Sequence, residues 1–240
     1  MGYVDLHCHF LPAIDDGVRT EAEGIELLRG LSSIGFERVV ATPHMRPGMF
    51  DNDRAGMQTA FASMCARIET EGGMPSVELA SEHWFDDVVF ARLVAGEGAP
   101  YPGGHAALIE INPEMFPVRL AHAFFELRRK KLRPVLAHPE RYAPVWDDEK
   151  VLEPLLDGGT VLLLDVAALV GKYGRKPERA AKRMLEEGYY YAACSDAHRP
   201  SDVDVVHRGI DELRVLMGDE ETVFLLSEGP RNILSGKVET

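Results

Sequence analysis

The chain has 240 residues, 45% hydrophobic and 27% charged, values of a globular protein with a sizeable core rather than of a disordered or fibrous one. Its 39 acidic against 26 basic residues give a formal net charge of -13, a field that repels polyanions and counts against a nucleic-acid partner. Three cysteines, Cys8, Cys65 and Cys194, include no close pair, which argues against a disulfide framework and fits a reducing compartment.

The first element is the strand-like "YVDLHCH" at 3–9. His7 and His9 stand at i and i+2, so an extended chain turns both imidazoles to one face and Cys8 to the other. The loop "LPAIDDG" follows, with Asp15 and Asp16 side by side, and then the helical pattern "TEAEGIELLRGLSSIGF". Beyond it, "RVVATPH", "SVELASE", "AALIEIN", "RPVLAHP", "TVLLLDV" and "YYYAACSDAH" complete seven strand candidates. Amphipathic segments such as "AGMQTAFASMCARIETEGG", "PVRLAHAFFELRRKKL" and "PERAAKRMLEEG" separate them, several opened by Thr, Asp or Pro and closed by Gly. Alternation of strand and helix implies parallel pairing. About seven such units in one domain spanning 1–240 favour closure into a barrel over an open doubly wound sheet.

The N-terminus has no basic region followed by an apolar one, and the longest apolar stretch, "VLLLDVAALV", is too short for a bilayer and carries Asp165. A cytoplasmic location is expected.

The polar residues fall into a register. His7 and His9 close the first strand, His44 the second, Glu82 the third, Glu110 the fourth and His138 the fifth, while Asp196 and His198 follow the seventh. In a parallel barrel these ends meet at one mouth, within reach of Asp16 from the first loop. A lone His or Glu after a strand is ordinarily a cap or a satisfied polar contact. Nine such groups on one rim could not be desolvated together without cations to balance them. Imidazoles and carboxylates without thiolate suit borderline or hard divalent ions, and three ions would share nine ligands.

His83, His105, His122 and His207 fit no such register and receive ordinary structural roles. Cys8 and Cys194 are expected to point away from the site as small core residues. "CSDAHR" superficially resembles a cysteine-phosphatase loop, but the required Arg six positions after Cys194 is replaced by Pro200. No Gly-x-Ser-x-Gly elbow, Walker sequence or dinucleotide fingerprint occurs. The run "RRKK" at 128–131 ends a helical pattern, where cations suit the macrodipole.

In their order and spacing, "DLHCHFLPAIDDG", "ATPH", "ASEHWFDD", "ALIEINPE", "LAHPERY" and "CSDAH" resemble the polymerase-and-histidinol-phosphatase superfamily. Within it they are most similar to the manganese-dependent protein-tyrosine phosphatases of bacterial capsule and exopolysaccharide loci. The resemblance runs through to "GPRNILSG". It implies a distorted seven-stranded (β/α)7 barrel resembling a TIM barrel, with three divalent ions at the strands' C-terminal ends. Manganese comes first among them, with iron, zinc or cobalt as options. It further implies His7, His9, Glu82 and Asp196 on the first ion, Glu82, Glu110 and His138 on the second, and Asp16, His44 and His198 on the third. Asp15 is then loop or supporting carboxylate. Arg141 in "HPERY" matches a phosphate-clamping arginine, since a guanidinium can hold two phosphate oxygens. Arg199 follows His198 directly, where the family's second arginine comes a few residues later. Asp165 stands where such proteins carry a neutral side chain, and is either a supporting carboxylate or a helix cap.

The resemblance implies hydrolysis of phosphotyrosine on the tail of a membrane-associated tyrosine kinase that governs polysaccharide export. Three alternatives compete: a small-molecule phosphatase such as one acting on histidinol phosphate, a nuclease, and a non-catalytic metal-binding protein. Oligomeric state is not read from the residues.

Overall fold

Seven expected strands become nine, because two of them break. A computed structural model describes residues 2–238. The elements follow in order: β1 (Tyr3–Cys8), α1 (Glu21–Ser33), β2 (Phe36–Ala41), β3 (His44–Met45), α2 (Arg54–Ile68), β4 (Ser76–Leu79), β5 (Glu82–Trp84), α3 (Asp87–Ala95) and β6 (Ala106–Glu110). Then come α4 (Leu120–Arg129), β7 (Arg133–Ala137), α5 (Ala143–Asp147), α6 (Glu153–Asp157), β8 (Val161–Asp165), α7 (Arg175–Glu186), β9 (Tyr190–Cys194), α8 (Val203–Val223) and α9 (Gly229–Ser235). Every strand pairs in parallel, as the alternation of strand and helix requires.

The sheet is not the closed seven-stranded barrel that was expected. It divides into a three-stranded sheet, β1-β2-β4, and a six-stranded sheet, β3-β5-β6-β7-β8-β9. The cause is local. "RVVATPH" breaks into β2 and β3 at Thr42–Pro43, since proline has no N–H for the ladder. "SVELASE" breaks into β4 and β5 at Ala80–Ser81, where Ser81 N turns out to donate to Ala99 O at 3.0 Å. Across the gap, Ala80 N donates to Ala41 O at 2.8 Å and Glu82 N to Pro43 O at 3.1 Å, so the halves stay aligned.

At the other seam, β9 and β1 share no ladder but one isolated bridge, Cys8 to Ala197. The buried Asp5 carboxylate lies between them, accepting from Ser195 N at 3.0 Å, Ser195 Oγ at 2.5 Å and His7 N at 3.2 Å.

Two apolar clusters line the two faces of the strands. The inner one takes Leu108, Val135, Leu163 and Ala192, and the outer one takes Ile109, Leu136, Leu164 and Ala193 beneath the helices. In β1 the alternation slips. Val4 and Leu6 are inner while Cys8 is outer, and a register shift lies between Asp5 and Cys8. Such a bulge moves the following residues to the opposite face, and here it turns His7 and His9 inward. Cys194, expected to point away from the site, belongs instead to the inner cluster with Ala192. Three helices, α1, α2 and α3, start on side-chain caps: Thr20 accepts from Glu23 N, Asp53 from Gly56 N and Asp86 from Val89 N. Among the described residues, no helix is long and apolar enough to cross a membrane.

Candidate metal centre

All nine residues singled out at the strand ends converge. They form four overlapping groups whose ligand atoms lie within 4.8 Å of one another: His9, Asp16, His44 and His198; His7, His9 and Glu82; His7, His138 and Asp196; His44, Glu82 and Glu110. The groups overlap and do not divide into the three sets that the resemblance implies. His9 lies with Asp16, His44 and His198 as well as with His7, and His44 lies with the two glutamates.

Glu82 is the hub. Its Oε2 lies 3.2 Å from His7 Nε2, 3.6 Å from His9 Nε2 and 3.0 Å from His44 Nδ1, and its Oε1 lies 3.1 Å from His138 Nε2. Asp196 Oδ1 is 3.2 Å from His7 Nε2 and 3.5 Å from His9 Nε2. Metal bonds of about 2.1 Å separated by 90–109° set ligand atoms about 3.0 to 3.4 Å apart, so these spacings match the edges of a coordination shell. Hydrogen bonding accounts for only part of the cluster, with His7 Nε2 3.1 Å from His9 Nε2 and His138 Nε2 3.1 Å from Glu82 Oε1. His7 Nδ1, His44 Nδ1, His138 Nδ1, Glu110 Oε2 and Asp196 Oδ1 are buried without a hydrogen-bond partner among the described residues. Buried polar atoms are rarely left so; of these, His44 Nδ1, Glu110 Oε2 and Asp196 Oδ1 lie at the cluster and fit divalent cations, whereas His7 and His138 turn Nε2 to the cluster and Nδ1 away from it.

The backbone is strained at two of these positions. His138 has φ 35° and Asp196 φ 43°, left-handed values that side-chain-bearing residues rarely adopt. Each lies just past the end of its strand, where the turn aims the side chain back over the mouth.

A second set of contacts orients the imidazoles. Asp15 Oδ2 accepts from His9 Nδ1 at 2.8 Å and from His44 N at 3.1 Å, and its Oδ1 accepts from Gly17 N at 2.9 Å. With its proton on Nδ1, His9 presents Nε2 as a free lone pair. A Cβ at Gly17 would come within 2.3 Å of His9 O, so only glycine lets the "DDG" loop pass this close. His198 Nδ1 donates to Asp196 O at 3.0 Å, leaving Nε2 toward Asp16 Oδ1 at 3.5 Å. Asn52 Nδ2 ties the loops together by donating to Ile14 O and His44 O, both at 2.8 Å.

Charge follows this geometry. Burial raises Glu82, yet His7 and His44 hold it well below the usual carboxylate range. Burial opposes charge on His9, yet Asp15 raises its pKa well above the ordinary value. Glu110 is pushed up to about 7 by burial and by Glu82, and His138 down to about 4 by burial and Arg141.

Arg141 Nη1 donates to Asp196 Oδ2 at 2.6 Å while its guanidinium lies 4.5 Å from the centre of the Tyr173 ring. The exposed Arg199 reaches Asp16 O at 3.3 Å, on the rim. Asp165 accepts from Ala167 N at 2.9 Å as a cap, and burial together with Asp196 lifts its pKa to about 6. Two carboxylates carried no signal in the sequence. Asp5 holds the seam, and buried Glu140 accepts from Asp165 N at 3.0 Å and Tyr190 OH at 3.1 Å behind the site. His83 is satisfied by Leu108 O and Ala99 N, at 2.8 and 3.1 Å, and burial lowers its pKa to about 4. His105, His122 and His207 are exposed.

Comparison with known proteins adds a second line. Residues 3–235 match the family described as "Capsular polysaccharide synthesis, CpsB/CapC". The tyrosine-protein phosphatase YwqE of Bacillus subtilis is 28% identical over 200 residues, 81% of this chain and 77% of that protein. The tyrosine-protein phosphatase CpsB of Streptococcus pneumoniae is 22% identical over 237 residues, 96% of this chain and 98% of that one. A solved structure from the study of YwqE and CpsB, described as unique metal-dependent tyrosine phosphatases, superposes with a TM-score of 0.91 at 26% identity, covering 99% of this chain and 96% of that chain.

Proposed function

The chain belongs to the CpsB/CapC capsular polysaccharide synthesis family, and from that premise we propose that it is a metal-dependent tyrosine-protein phosphatase. The observation that carries this reading is the set of nine convergent histidines and carboxylates with unpartnered buried atoms. We assign His7, His9, Asp16, His44, Glu82, Glu110, His138, Asp196 and His198 as ligands of three divalent ions, manganese first, with Glu82 shared between groups. Divalent cations in such a site lower the pKa of water from about 15.7 toward 7 and offset phosphate charge.

The remaining chemistry belongs to the chain's own side chains. Asp15, itself held by Gly17 N, and the Asp196 carbonyl orient the imidazoles of His9 and His198, so that Nε2 of each faces the centre. Arg141 faces the same space and can take two phosphate oxygens with its planar fork, exchanging its bond to Asp196 for one to the substrate. Arg199 stands on the rim, where it can meet an anionic substrate as it approaches. The leaving tyrosinate, with an ordinary pKa near 10, needs little protonation and no covalent phosphoenzyme. Cys194 is unsuited as a nucleophile, because burial raises its thiol pKa well above the usual value.

We assign as natural substrate the phosphotyrosine-bearing tail of a membrane-associated kinase, acted on in the cytoplasm. The test is His138→Ala and Asp196→Ala, assayed on a phosphotyrosyl peptide with added manganese. Activity is expected to fall more than about 100-fold in each. Full retained activity overturns the ligand assignment. Faster turnover of histidinol phosphate or a phosphodiester than of the peptide overturns the substrate.

A further inference from the structure

At the level of Glu110, one step nearer the mouth than His44 and Glu82, stand side chains that the metal chemistry leaves unassigned. His44 and Arg46 are two residues apart along β3 and its extension, and Glu82 and Trp84 are two apart along β5. Side chains at this spacing share a face, displaced by about 6.6 Å along the strand. His83 between them turns the other way, to Leu108 O and Ala99 N. The two strands pair in parallel with His44 opposite Glu82, so Arg46 and Trp84 become neighbours one step nearer the mouth. They are in contact: the Arg46 guanidinium carbon lies 3.6 Å from the centre of the Trp84 ring. Trp84 is in turn opposite Glu110 on β6.

A third residue completes the wall. Arg46 and Phe50 form an isolated antiparallel bridge, with Arg46 N donating to Phe50 O at 3.1 Å and Phe50 N to Arg46 O at 2.8 Å. This tight loop folds Phe50 back onto His44, ring centroids 5.3 Å apart and planes 11° from parallel. Arg46, Phe50 and Trp84 are all half-buried, whereas Phe85, the residue after Trp84, is packed in the core.

We infer that Arg46, Phe50 and Trp84 form an aryl subsite, with Trp84 the specificity-determining residue that favours aryl over alkyl phosphomonoesters. The inference rests on the phosphatase reading above and names the residue that selects its aryl substrate. With phosphorus at the ligand layer, the ester oxygen points toward the mouth and the alcohol passes the layer of Arg46 and Trp84. An aromatic ring there can stack on Phe50 or on the face of Trp84 that Arg46 leaves open. The short, flexible carbon of a serine or glycerol ester gains neither contact. Arg46 acts as a positioning residue by fixing the plane of the Trp84 ring.

The test uses the manganese-loaded enzyme with Trp84→Ala and Trp84→Phe, on phosphotyrosyl and phosphoseryl peptides of one sequence. In Trp84→Ala, kcat/KM for the phosphotyrosyl peptide is expected to fall roughly tenfold while that for phosphoserine stays within about twofold, and Trp84→Phe restores most of the loss. Calorimetric binding of phenylphosphonate against methylphosphonate gives a readout without turnover: the wild type prefers the aryl ligand, and Trp84→Ala loses the preference. Equal losses on both peptides, or an unchanged ratio, overturn the subsite. Failure of the wild type to hydrolyse either peptide overturns the phosphatase reading instead, and the phosphonate pair then still decides whether the wall binds aryl groups.

Discussion

Asp15→Asn separates holding the metal from carrying out the chemistry. The Asp15 carboxylate is almost wholly buried and accepts three hydrogen bonds, from His9 Nδ1 at 2.8 Å, His44 N at 3.1 Å and Gly17 N at 2.9 Å. Burial opposes its charge, but His9 and the Gly17 amide hold its pKa below the usual range. Asparagine keeps the size and offers one acceptor oxygen. If that oxygen faces His9 and His44, the amide N–H₂ is set against the Gly17 N–H; turned round, it is set against the His9 N–H. Either way at least one bond worth about 1 kcal/mol is lost, and the charge assistance with it. Loss of a carboxylate that orients a metal-bound histidine weakens metal affinity by roughly 10 to 100-fold, or about 1.4 to 2.7 kcal/mol. The assay is phosphatase activity against free manganese concentration, with metal affinity measured separately by competition with a chelating dye. The midpoint is expected to rise by that factor, with kcat at saturating metal within about threefold of wild type. An unchanged midpoint with activity lost at saturation would refute the reasoning and put Asp15 in the chemical step.

Exhaustive chelation should abolish activity, while iodoacetamide should leave it intact, because the Cys8 and Cys194 thiols are buried and raised well above their ordinary pKa and the half-buried Cys65 on α2 lies outside the ligand cluster; inactivation by the alkylating agent alone would contradict this. Glu140 is raised from 4.5 to about 8, by burial first and Asp165 second. The fold therefore keeps a proton that the unfolded chain releases, and this contribution is full below pH 4.5 and is lost as pH rises through about 8, at about 1.4 kcal/mol per unit. Glu140→Gln should flatten this slope in urea unfolding of the metal-free protein between pH 5.5 and 8, and parallel profiles would rule the account out. Asp5→Asn should lower stability by about 1 to 3 kcal/mol, because a side-chain amide cannot accept all three donors that now meet the carboxylate; equal denaturation midpoints would show that the seam is held elsewhere.

Much of the candidate site was legible because its residues lie at a repeated position, the end of a strand. His7 and His9 show the two-residue spacing on their own, and Glu82, Glu110 and His138 each close a β-rich run. The breaks in the sheet were not legible in the same way. Pro43 is a visible interruption, but the turn at Ser81 depends on Ala99 O, a partner eighteen residues on whose position only the fold supplies. The layer formed by Arg46 and Trp84 exists only through the register of two short strands from separate halves of "ATPHMR" and "ASEHW". Cys194 illustrates the converse. Counted back from Asp196, two residues on, alternation puts Cys194 on the ligands' side of the strand, and it lies on the inner face with Ala192.

The open seam bears on the site as well as on the sheet. A continuous ladder between β1 and β9 would pair the peptide groups on both sides of Ser195, and the Asp5 carboxylate occupies that place instead. Beyond it, backbone pairing resumes, with Asp196 N donating to His7 O at 3.0 Å and His9 N to Ala197 O at 2.9 Å. The bulge after Asp5 and the left-handed turn at Asp196 thus sit on either side of one carboxylate. Each alone would misdirect a side chain. Together they bring His7 Nε2 and Asp196 Oδ1 to 3.2 Å across a seam where regular strands would hold their backbones in ladder register. The sheet thus stays open at a seam where a buried carboxylate holds the strands in place of a ladder, and the ligands His7 and Asp196 meet across that gap.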